Sequence, residues 1–466
     1  MAESFDLVVL GGGLAGYVAA IRAAQLGMKT ALVERDKMGG TCLHRGCIPT
    51  KALLHTADVV NQLHEVGELG IKLKEDAFSL DYPAAMKRKG KIVTQLWRGV
   101  EFLMKKHHIT VYKGTGRLAS ATQVVVDGEK GQETLAGKDV LVAVGSEPRP
   151  LPNLPFDGQR VLSSDHVLER DSVPASVLIV GGGAIGVEFA SMYRDFGSEV
   201  TLVEMLPHIL PQDDAEVAAE LTRLLTRRGM TIHAGAAVDD IQVGPKSVSA
   251  KIKPKAGAAV AVEAEVLLVA IGRQAVTAGI GLEALGIKMN RGFVEVDDAY
   301  RTNVPHVLAA GDCIGGYLLA HVATHEGMIA VEALAGDHPE GLSPERVPRV
   351  TYCRPEVASV GVTQEEAEAA GHQVKTGTFP FRANGKALIL QEGDGFVKLV
   401  ADAETDALLG AHVIGPHASD LINEMALAKF LEGTAWEVGE SVHAHPTVSE
   451  TLHEAALVLQ GHGIHV

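Results

Sequence analysis

The chain has 466 residues, of which 46% are hydrophobic and 21% are charged, a composition typical of soluble globular proteins. Its formal net charge of −16 disfavours broad electrostatic binding to nucleic acid or to an anionic membrane surface. Four cysteines in a chain of this length exclude a disulfide-rich secreted scaffold, and the length itself predicts about three domains.

The first predicted elements form a strand, a glycine-rich turn, a helix and a second strand. They are the strand Phe5 to Leu10, the pattern Gly11-x-Gly13-x-x-Gly16, a helix to Leu26, and a strand from Thr30 to Glu34. In such a unit the glycines allow a tight turn, close approach to a pyrophosphate, and close packing of helix on strand. The terminal acid accepts hydrogen bonds from ribose hydroxyls. The unit predicts a dinucleotide site.

The segment 39–51, Gly-Gly-Thr-Cys-Leu-His-Arg-Gly-Cys-Ile-Pro-Thr-Lys, places two cysteines, Cys42 and Cys47, five residues apart. A zinc site is disfavoured because Cys313 and Cys353 are isolated and distant in sequence. Two thiols without a role, or a redox disulfide, remain as alternatives. Residues five apart on a regular helix lie ~8–9 Å apart, whereas a disulfide needs less than ~7 Å. Closing the pair therefore requires a distorted backbone, for which Gly46 and Pro49 are suited, and a helix beginning near Pro49 would favour a Cys47 thiolate.

A second copy of the glycine-rich unit follows much later. It consists of the strand Val177 to Val180, the pattern Gly181-x-Gly183-x-x-Gly186, a helix to Phe196, and the strand Val200 to Val203 ending at Glu204. In both copies the acid lies 23 positions after the first glycine. Two matching copies predict that the chain binds two dinucleotides. Glu204 favours NAD, because its carboxylate would repel the 2′-phosphate of NADP.

The C-terminal segment His445-Pro446-Thr447-Val448-Ser449-Glu450 contains a candidate base and a carboxylate that could orient it. The alternatives at this stage are a solvated surface histidine and a metal pair formed by His443 and His445. Near the start of the chain, the uncharged run 7–21 is too short and too rich in glycine for a membrane span. With no signal-peptide pattern, we expect a cytoplasmic protein that binds neither membrane nor nucleic acid and holds no metal.

The cysteine segment, the glycine units, Gly311-Asp312 and the C-terminal His-Ala-His-Pro-Thr-Val-Ser-Glu together resemble the pyridine-nucleotide disulfide oxidoreductases, and within them the dihydrolipoamide dehydrogenase family. The resemblance spans nearly the whole chain. It implies an α/β fold with two Rossmann-like dinucleotide-binding domains, for FAD and NAD, and a C-terminal α+β dimerisation domain. The implied boundaries are 1–148 for the first part of the FAD domain, 149–275 for the NAD domain, 276–346 for the central part of the FAD domain, and 347–466 for the dimerisation domain.

The same resemblance implies a flavoprotein that oxidises protein-bound dihydrolipoamide to lipoamide and reduces NAD⁺ to NADH. A glutathione-reductase-like NAD(P)H reductase of another small disulfide is the alternative, and a non-catalytic nucleotide-binding sensor is a third. The implied partners are a second copy of the chain and a lipoylated protein, either the acyltransferase (E2) of a 2-oxo acid dehydrogenase complex or the glycine cleavage H protein.

The resemblance also implies roles for individual residues. Cys42 would exchange with the substrate, and Cys47 would face the flavin as a charge-transfer donor. Lys51 would lie near the flavin, paired with Glu188. His445 would be the acid–base and Glu450 its partner, and the two would act at the disulfide of the other subunit. The implied FAD contacts are Gly11, Gly13, Gly16, Glu34, Gly40, Thr41, Lys51, Gly116, Gly145, Asp312, Ala320 and His321. The implied NAD contacts are Gly181, Gly183, Gly186, Glu204, Val238, Ala270 and Gly272.

Overall fold

The computed structural model describes residues 4–74, 77–129 and 131–465. Its strands are, in chain order, β1 (Ser4–Leu10), β2 (Thr30–Glu34), β3 (Thr110–Ser120), β4 (Gln123–Gly128), β5 (Gly131–Val142), β6 (Ser146–Pro148), β7 (Val161–Leu162), β8 (Ser176–Val180), β9 (Glu199–Glu204), β10 (Thr231–Ala234), β11 (Ala236–Val243), β12 (Val248–Pro254), β13 (Val260–Ala264), β14 (Val266–Val269), β15 (Arg273–Ala275), β16 (Met289–Asn290), β17 (Phe293–Val294), β18 (Val307–Ala309), β19 (Arg349–Thr351), β20 (Glu356–Gly361), β21 (Val374–Pro380), β22 (Phe396–Asp402) and β23 (Leu408–Gly415).

The α-helices follow the same order. They are α1 (Leu14–Gln25), α2 (Gly40–Arg45), α3 (Cys47–Glu65), α4 (Tyr82–Lys106), α5 (Ser164–Val167), α6 (Ala184–Asp195), α7 (Ala215–Arg227), α8 (Ala320–Leu334), α9 (Gln364–Ala369), α10 (Gly385–Ile389), α11 (Ala418–Phe430), α12 (Ala435–Glu440) and α13 (Glu450–Leu459). Short 3₁₀ segments lie at Val66–Leu69, Glu283–Leu285, Asp312–Ile314, Pro344–Arg346 and Phe381–Ala383.

The chain divides into two compact units, and the first comprises residues 1–53, 83–149 and 272–342. Its main sheet has the order β3-β2-β1-β5-β18, and every neighbouring pair is parallel. Beyond this parallel part, β3 and β5 continue into an antiparallel meander with β4 between them. Strands β1 and β2 are apolar and buried along most of their length, as expected of parallel strands covered on both faces.

Small side chains set the packing of α1 in this unit. The helix buries Ala15, Ala19, Ala20 and Ala23. Gly327 of α8 comes so close to α1 that a Cβ there would lie 2.4 Å from the Ala15 carbonyl oxygen. The alanine-rich sequence of α1 therefore fixes the position of the helix that follows the first glycine turn.

The second unit comprises residues 54–82, 150–271 and 343–466. Its first sheet is wholly parallel, in the order β10-β9-β8-β14-β7. The antiparallel strands β11, β12 and β13 form a separate small sheet. Helix α7 buries one apolar face made of Val217, Ala218, Leu221, Leu224 and Leu225, the pattern of an amphipathic helix on a sheet.

The C-terminal part of the second unit is an antiparallel sheet in the order β19-β20-β23-β22-β21, covered by helices. Phe379 and Phe381 are fully buried in its core. Helix α13 lies so close to β21 that a Cβ on Gly377 would be 2.2 Å from the Ala455 carbonyl oxygen. This part carries the His445–Glu450 segment at the start of α13.

The predicted fold class, two doubly wound α/β parts and a C-terminal α+β part, is confirmed. The predicted division into four segments stays a prediction, because the two units do not separate residues 150–271 from residues 343–466. In the described part of the chain, no helix combines the length and the apolar character that a membrane crossing requires.

Candidate functional site

The first glycine turn lies at the carboxyl end of β1. Gly11 has a φ of +111°, and a Cβ on it would lie 2.2 Å from the Ala143 carbonyl oxygen. A Cβ on Gly16 would lie 1.9 Å from the Gly11 carbonyl oxygen. Glu34, at the end of β2, accepts hydrogen bonds from the Gly12 N–H (2.7 Å) and the Asp36 N–H (2.7 Å). The turn is therefore tight, and its acid is fixed by the backbone.

The second glycine turn, at the end of β8, repeats this construction. A Cβ on Gly181 would lie 2.3 Å from the Ala270 carbonyl oxygen, and one on Gly186 would lie 1.9 Å from the Gly181 carbonyl oxygen. Glu204, a buried residue at the end of β9, accepts hydrogen bonds from the Gly182 N–H (2.6 Å) and the Leu206 N–H (2.8 Å). The repeat predicted from sequence is thus present in three dimensions, down to the same hydrogen bond.

The helices that follow the two turns present bare N-termini. Gly13 and Gly183 are the N-cap residues of α1 and α6, and neither helix has a side-chain cap. A Cβ on Gly183 would meet no atom within 4 Å, and one on Gly13 would meet only Gly40 Cα, at 4.0 Å. Uncapped N–H groups beside open space, at the positive end of a helix dipole, suit a pyrophosphate. These residues fit the two dinucleotides, FAD in the first unit and NAD in the second.

The cysteine segment begins beside the first turn. The Gly39 N–H donates to the Gly12 carbonyl (2.8 Å), and Gly40, with a φ of +60°, comes so close to Gly13 that a Cβ on Gly40 would lie 2.6 Å from Gly13 Cα. Thr41 and Cys42 follow in α2. The turn and the cysteine segment are therefore held together by backbone contacts.

The helix breaks between the two cysteines, as the disulfide hypothesis requires. Helix α2 ends at Arg45, Gly46 has φ −141° and ψ −115°, and α3 begins at Cys47. A Cβ on Gly46 would lie 3.1 Å from the Thr41 carbonyl oxygen, so a larger residue would press on the segment. Cys47 thus stands in the first turn of a 19-residue helix, two residues earlier than predicted from Pro49. The positive end of this helix favours a thiolate there.

The structure describes Cys42 and Cys47 without a covalent bond between their sulfur atoms. The pKa of Cys42 is raised, first because its thiol donates a hydrogen bond to the Cys47 sulfur, then by burial and by negative charge on Cys47. The positive charge of Lys51 acts in the opposite direction. Burial raises the pKa of Tyr17 on α1. The raised pKa of Cys42 therefore favours the protonated form of this thiol.

Asp312 lies after β18, at the same edge of the sheet. Its carboxylate accepts a hydrogen bond from the Ser146 hydroxyl. Arg273 donates through Nε to the Ser146 hydroxyl oxygen (2.7 Å), and its Nε lies 3.8 Å from Asp312 Oδ2. Glu326 accepts the Gly311 N–H (2.7 Å), and burial raises its pKa to about 7 against the effect of that hydrogen bond.

The remaining predicted contacts occupy varied positions in the two units. In the first unit, Gly116 lies within β3, where a Cβ would be 2.3 Å from Leu10 Cδ1, and Gly145 has a φ of +73°. Ala320 is the first residue of α8, and the exposed His321 follows it. The Gly272 carbonyl accepts a hydrogen bond from the Arg149 N–H (3.1 Å). In the second, Val238 lies in β11, Ala270 follows β14, and the buried Glu188 on α6 accepts the Tyr352 N–H (3.0 Å).

Parallel topology explains why distant residues converge in each unit. The turn at Gly11, the acid Glu34, Gly145 and Asp312 follow the carboxyl ends of β1, β2, β5 and β18. In the second unit, Gly181, Glu204 and Ala270 follow the ends of β8, β9 and β14. Ligands of doubly wound sheets bind at this edge. Tyr17, Ser146, Arg273 and Glu326 were missed by sequence reasoning, because no motif marks them and their contacts are distant in sequence.

The C-terminal dyad has the geometry expected of an acid–base and its partner. His445 Nδ1 lies 2.9 Å from Glu450 Oε1, and Glu450 Oε2 accepts the Thr447 N–H at 2.8 Å. The His445 side chain is 80% exposed, whereas Glu450 is 25% exposed. Burial opposes ionisation of Glu450, but the Thr447 N–H and His445 outweigh it and lower the pKa of that carboxyl. An ionised Glu450 holds the His445 ring by Nδ1 and leaves Nε2 to accept a proton.

Comparison with known proteins assigns the family. The family model described as "Pyridine nucleotide-disulphide oxidoreductase" matches residues 5–327, and the one described as its dimerisation domain matches residues 347–456. The chain belongs to the pyridine nucleotide-disulphide oxidoreductase family. The predicted resemblance and the predicted oxidoreductase with FAD and NAD as cofactors are confirmed.

Individual relatives match this chain over its full length. The chain is 48% identical to the dihydrolipoyl dehydrogenase of Bacillus subtilis and 45% identical to that of Zymomonas mobilis, with 100% of each chain covered. Among solved structures it is similar to LpdA from Mycobacterium tuberculosis (TM-score 0.89, 30% identity, 97% of this chain and 98% of that one). It is also similar to the HOCl-induced flavoprotein disulfide reductase RclA from Escherichia coli (TM-score 0.87, 27% identity, 97% and 99%).

Proposed function

We propose that this chain oxidises dihydrolipoamide to lipoamide with NAD⁺ as the final acceptor, through a redox disulfide between Cys42 and Cys47. The observation that carries this proposal is the pair itself. The Cys42 thiol donates a hydrogen bond to the Cys47 sulfur across a broken helix, Cys47 lies at a helix N-terminus, and the Lys51 charge acts on Cys42. A structural disulfide needs none of these electrostatic features, whereas a dithiol that must ionise and reoxidise needs all of them.

Proton transfer from the substrate is the task of His445. Thiol–disulfide exchange proceeds through a thiolate, so one thiol of dihydrolipoamide must first lose its proton. His445 accepts it at Nε2, since Nδ1 is held by Glu450. The imidazolium that forms is stabilised by the ionised carboxylate. Glu450 thus fixes the tautomer of the base without taking the proton itself.

The exchange at sulfur then proceeds in two steps. The substrate thiolate attacks Cys42 Sγ, the Cys42–Cys47 bond breaks, and Cys47 leaves as a thiolate. The second substrate sulfur attacks the first, which releases lipoamide and returns Cys42 as a thiol. Two electrons and two protons leave the substrate. The electron pair reduces the disulfide, one proton ends on Cys42 and the other stays on the His445 imidazolium, and Cys47 carries the negative charge; the raised pKa of Cys42 supports this distribution.

The two dinucleotides would be held by the residues already placed at the sheet edges. Gly11, Gly13, Gly16, Glu34, Gly40, Thr41, Lys51, Gly116, Gly145, Asp312, Ala320 and His321 would hold FAD, and Gly181, Gly183, Gly186, Glu204, Val238, Ala270 and Gly272 would hold NAD. When bound, FAD supplies a two-electron acceptor for the thiols and NAD⁺ a hydride acceptor. The catalytic roles of Lys51 and Glu188 stay predictions.

The family's dimerisation domain supports a homodimer, in which His445 of one subunit serves the disulfide of the other. The acid–base residue is strongly exposed in the single chain, which suits a group that completes a site on a second copy. A lipoyl group carried on an acyltransferase or on the glycine cleavage H protein is the proposed form of the substrate.

The test is anaerobic turnover by the purified, FAD-loaded protein in both directions. Oxidation of dihydrolipoamide is measured with NAD⁺ and with NADP⁺, and reduction of lipoamide and of glutathione disulfide is measured with NADH and with NADPH. We expect formation of NADH from dihydrolipoamide and NAD⁺, and a long-wavelength absorption on reduction that reports the thiolate. Preference for glutathione disulfide and NADPH over lipoamide and NADH would establish the alternative reductase instead. Replacing the buried Cys353 by Ala is a matched control that should leave turnover unchanged.

A further inference from the structure

A second histidine–carboxylate pair lies two residues before the proposed acid–base. His443 Nε2 is 2.8 Å from Glu424 Oε1 on α11, and His443 Nδ1 is 2.9 Å from the Ser441 carbonyl oxygen. The His443 side chain is only 8% exposed, whereas Glu424 is 40% exposed. The catalytic dyad does not use this pair, and the sequence offered only a metal pair with His445 as a role for His443.

The hydrogen-bond partners define the charge of His443. A carbonyl oxygen and a carboxylate can only accept, so both ring nitrogens must donate. A neutral imidazole has one N–H, and only the imidazolium has two. The pKa of His443 is raised, first by the hydrogen bond to Glu424 and against the effect of burial. His443 is therefore a buried cation when it makes both hydrogen bonds.

The groups around His443 connect this charge to the dyad. Glu424 faces it from α11, and the ring of His453 on α13 lies 5.7 Å away, centroid to centroid. Glu450, at the start of α13, interacts with it electrostatically, and the charge of His443 is one of the contributions that keep Glu450 ionised. His453 Nδ1 is buried and makes no hydrogen bond. A fixed positive charge therefore lies close to the carboxylate that orients His445.

We propose that His443 and Glu424 are positioning residues for the acid–base His445. The pair ties the segment 441–445 to α11, and the His443 cation favours both an ionised Glu450 and an unprotonated His445. The dyad thus stays in its base form, with Nδ1 protonated and Nε2 free to accept, at lower pH than it would alone. This inference depends on the role of His445 given above.

The sign of the effect gives the test. Without the cation, protonation of His445 meets less repulsion, so the base form is lost at higher pH. In His443→Gln and Glu424→Gln, we expect the acid limb of kcat/KM for dihydrolipoamide to move to higher pH. At about pH 6 kcat/KM should fall about 3- to 10-fold, and at about pH 8.5 less than about 2-fold. The double variant should lose no more than the stronger single one, because Glu424 acts through His443.

Matched measurements separate this role from a structural one. His372 pairs with Asp402 at 2.8 Å in the same unit, and His372→Gln should leave the pH profile unchanged. NADH-dependent dye reduction should also remain unchanged, since it bypasses the dyad. An equal loss of kcat/KM at all pH values, or an acid limb that does not move, would overturn the proposal.

A measurement without turnover keeps the two hypotheses distinguishable. The pH dependence of carbethoxylation of His445, followed by peptide mass spectrometry, reports the unprotonated ring. Its midpoint should move to higher pH in both single variants and stay in place in His372→Gln. A wild-type protein that fails to oxidise dihydrolipoamide would refute the proposed function, whereas an unmoved carbethoxylation midpoint would refute the positioning role.

Discussion

Two glycines of the second turn should respond to alanine in opposite ways, although they lie three residues apart. A Cβ on Gly186 would lie 1.9 Å from the Gly181 carbonyl oxygen. This oxygen belongs to the backbone, so it cannot move aside as the end of a flexible side chain could. Gly183 faces open space, and its φ of −74° with ψ of −177° is allowed for alanine. The first variant tests packing of α6 on β8, and the second tests ligand approach.

The magnitudes follow from this geometry. Gly186→Ala must push helix and strand apart, and overpacking of this severity costs about 3 kcal/mol or more of the free energy of unfolding. Gly183→Ala has two opposing effects on the free energy of unfolding, each of about 0.5–1 kcal/mol. Alanine is a poorer N-cap than glycine, which lowers it, and alanine reduces the entropy of the unfolded chain, which raises it. Its stability should stay near wild type. A methyl group at the pyrophosphate position should cost about 1–3 kcal/mol of NAD binding, or roughly 5- to 150-fold in Kd.

The assay combines thermal unfolding with the Kd for NAD⁺ and the FAD content of each variant. We expect a lowered Tm for Gly186→Ala, an unchanged Tm but weakened NAD⁺ binding for Gly183→Ala, and normal FAD content in the latter. FAD content is the internal control, because the first glycine turn is untouched. Normal NAD⁺ affinity in a well-folded Gly183→Ala protein would refute the placement of the pyrophosphate.

Three further predictions concern chemistry and pH. Cys42→Ser should abolish dihydrolipoamide oxidation but spare NADH-dependent dye reduction, and equal loss of both in steady-state assays would contradict the role of that thiol. His445→Gln should lower kcat/KM for dihydrolipoamide by about 10²- to 10⁴-fold with FAD retained, and near-normal turnover would exclude it as the base. Glu326 has a folded-state pKa of about 7, above that of the unfolded chain, so its ionisation destabilises the fold as pH rises from about 4.5 to 7. Glu326→Gln should therefore raise the free energy of unfolding by about 1–3 kcal/mol at pH 8 and change it little at pH 4, and equal Tm differences at both pH values would contradict this.

The sequence predicted those parts of the fold that local patterns encode. Both glycine units were found with their strands and helices to within one or two residues, because each combines a short apolar strand, three spaced glycines and a terminal acid. The break at Gly46 was also predictable, since a disulfide across five residues cannot form on a regular helix. Helix α3 nevertheless starts at Cys47 rather than near Pro49, since proline is accepted anywhere in a first turn.

The contacts that the sequence did not predict join residues that are far apart along the chain. Ser146 reaches Asp312 across 166 positions, and His443 reaches Glu424 across 19. Such pairs depend on which strand ends and helices the topology brings together, and no spacing rule marks them. His443 shows this most clearly: its neighbour His445 suggested a metal pair, whereas its actual partners show a charged ring tied to another helix.

Glu204 is proposed to bind the ribose of NAD and also accepts hydrogen bonds from the backbone, which has a consequence for changing the coenzyme specificity. Its two oxygens already support the backbone at Gly182 and Leu206. Replacing Glu204 by a neutral or basic residue, in order to accept a phosphorylated ribose, therefore also removes two hydrogen bonds that hold the backbone around this residue. Variants aimed at NADP should succeed only when a new acceptor, such as a serine or threonine hydroxyl, takes over at least one of those amides.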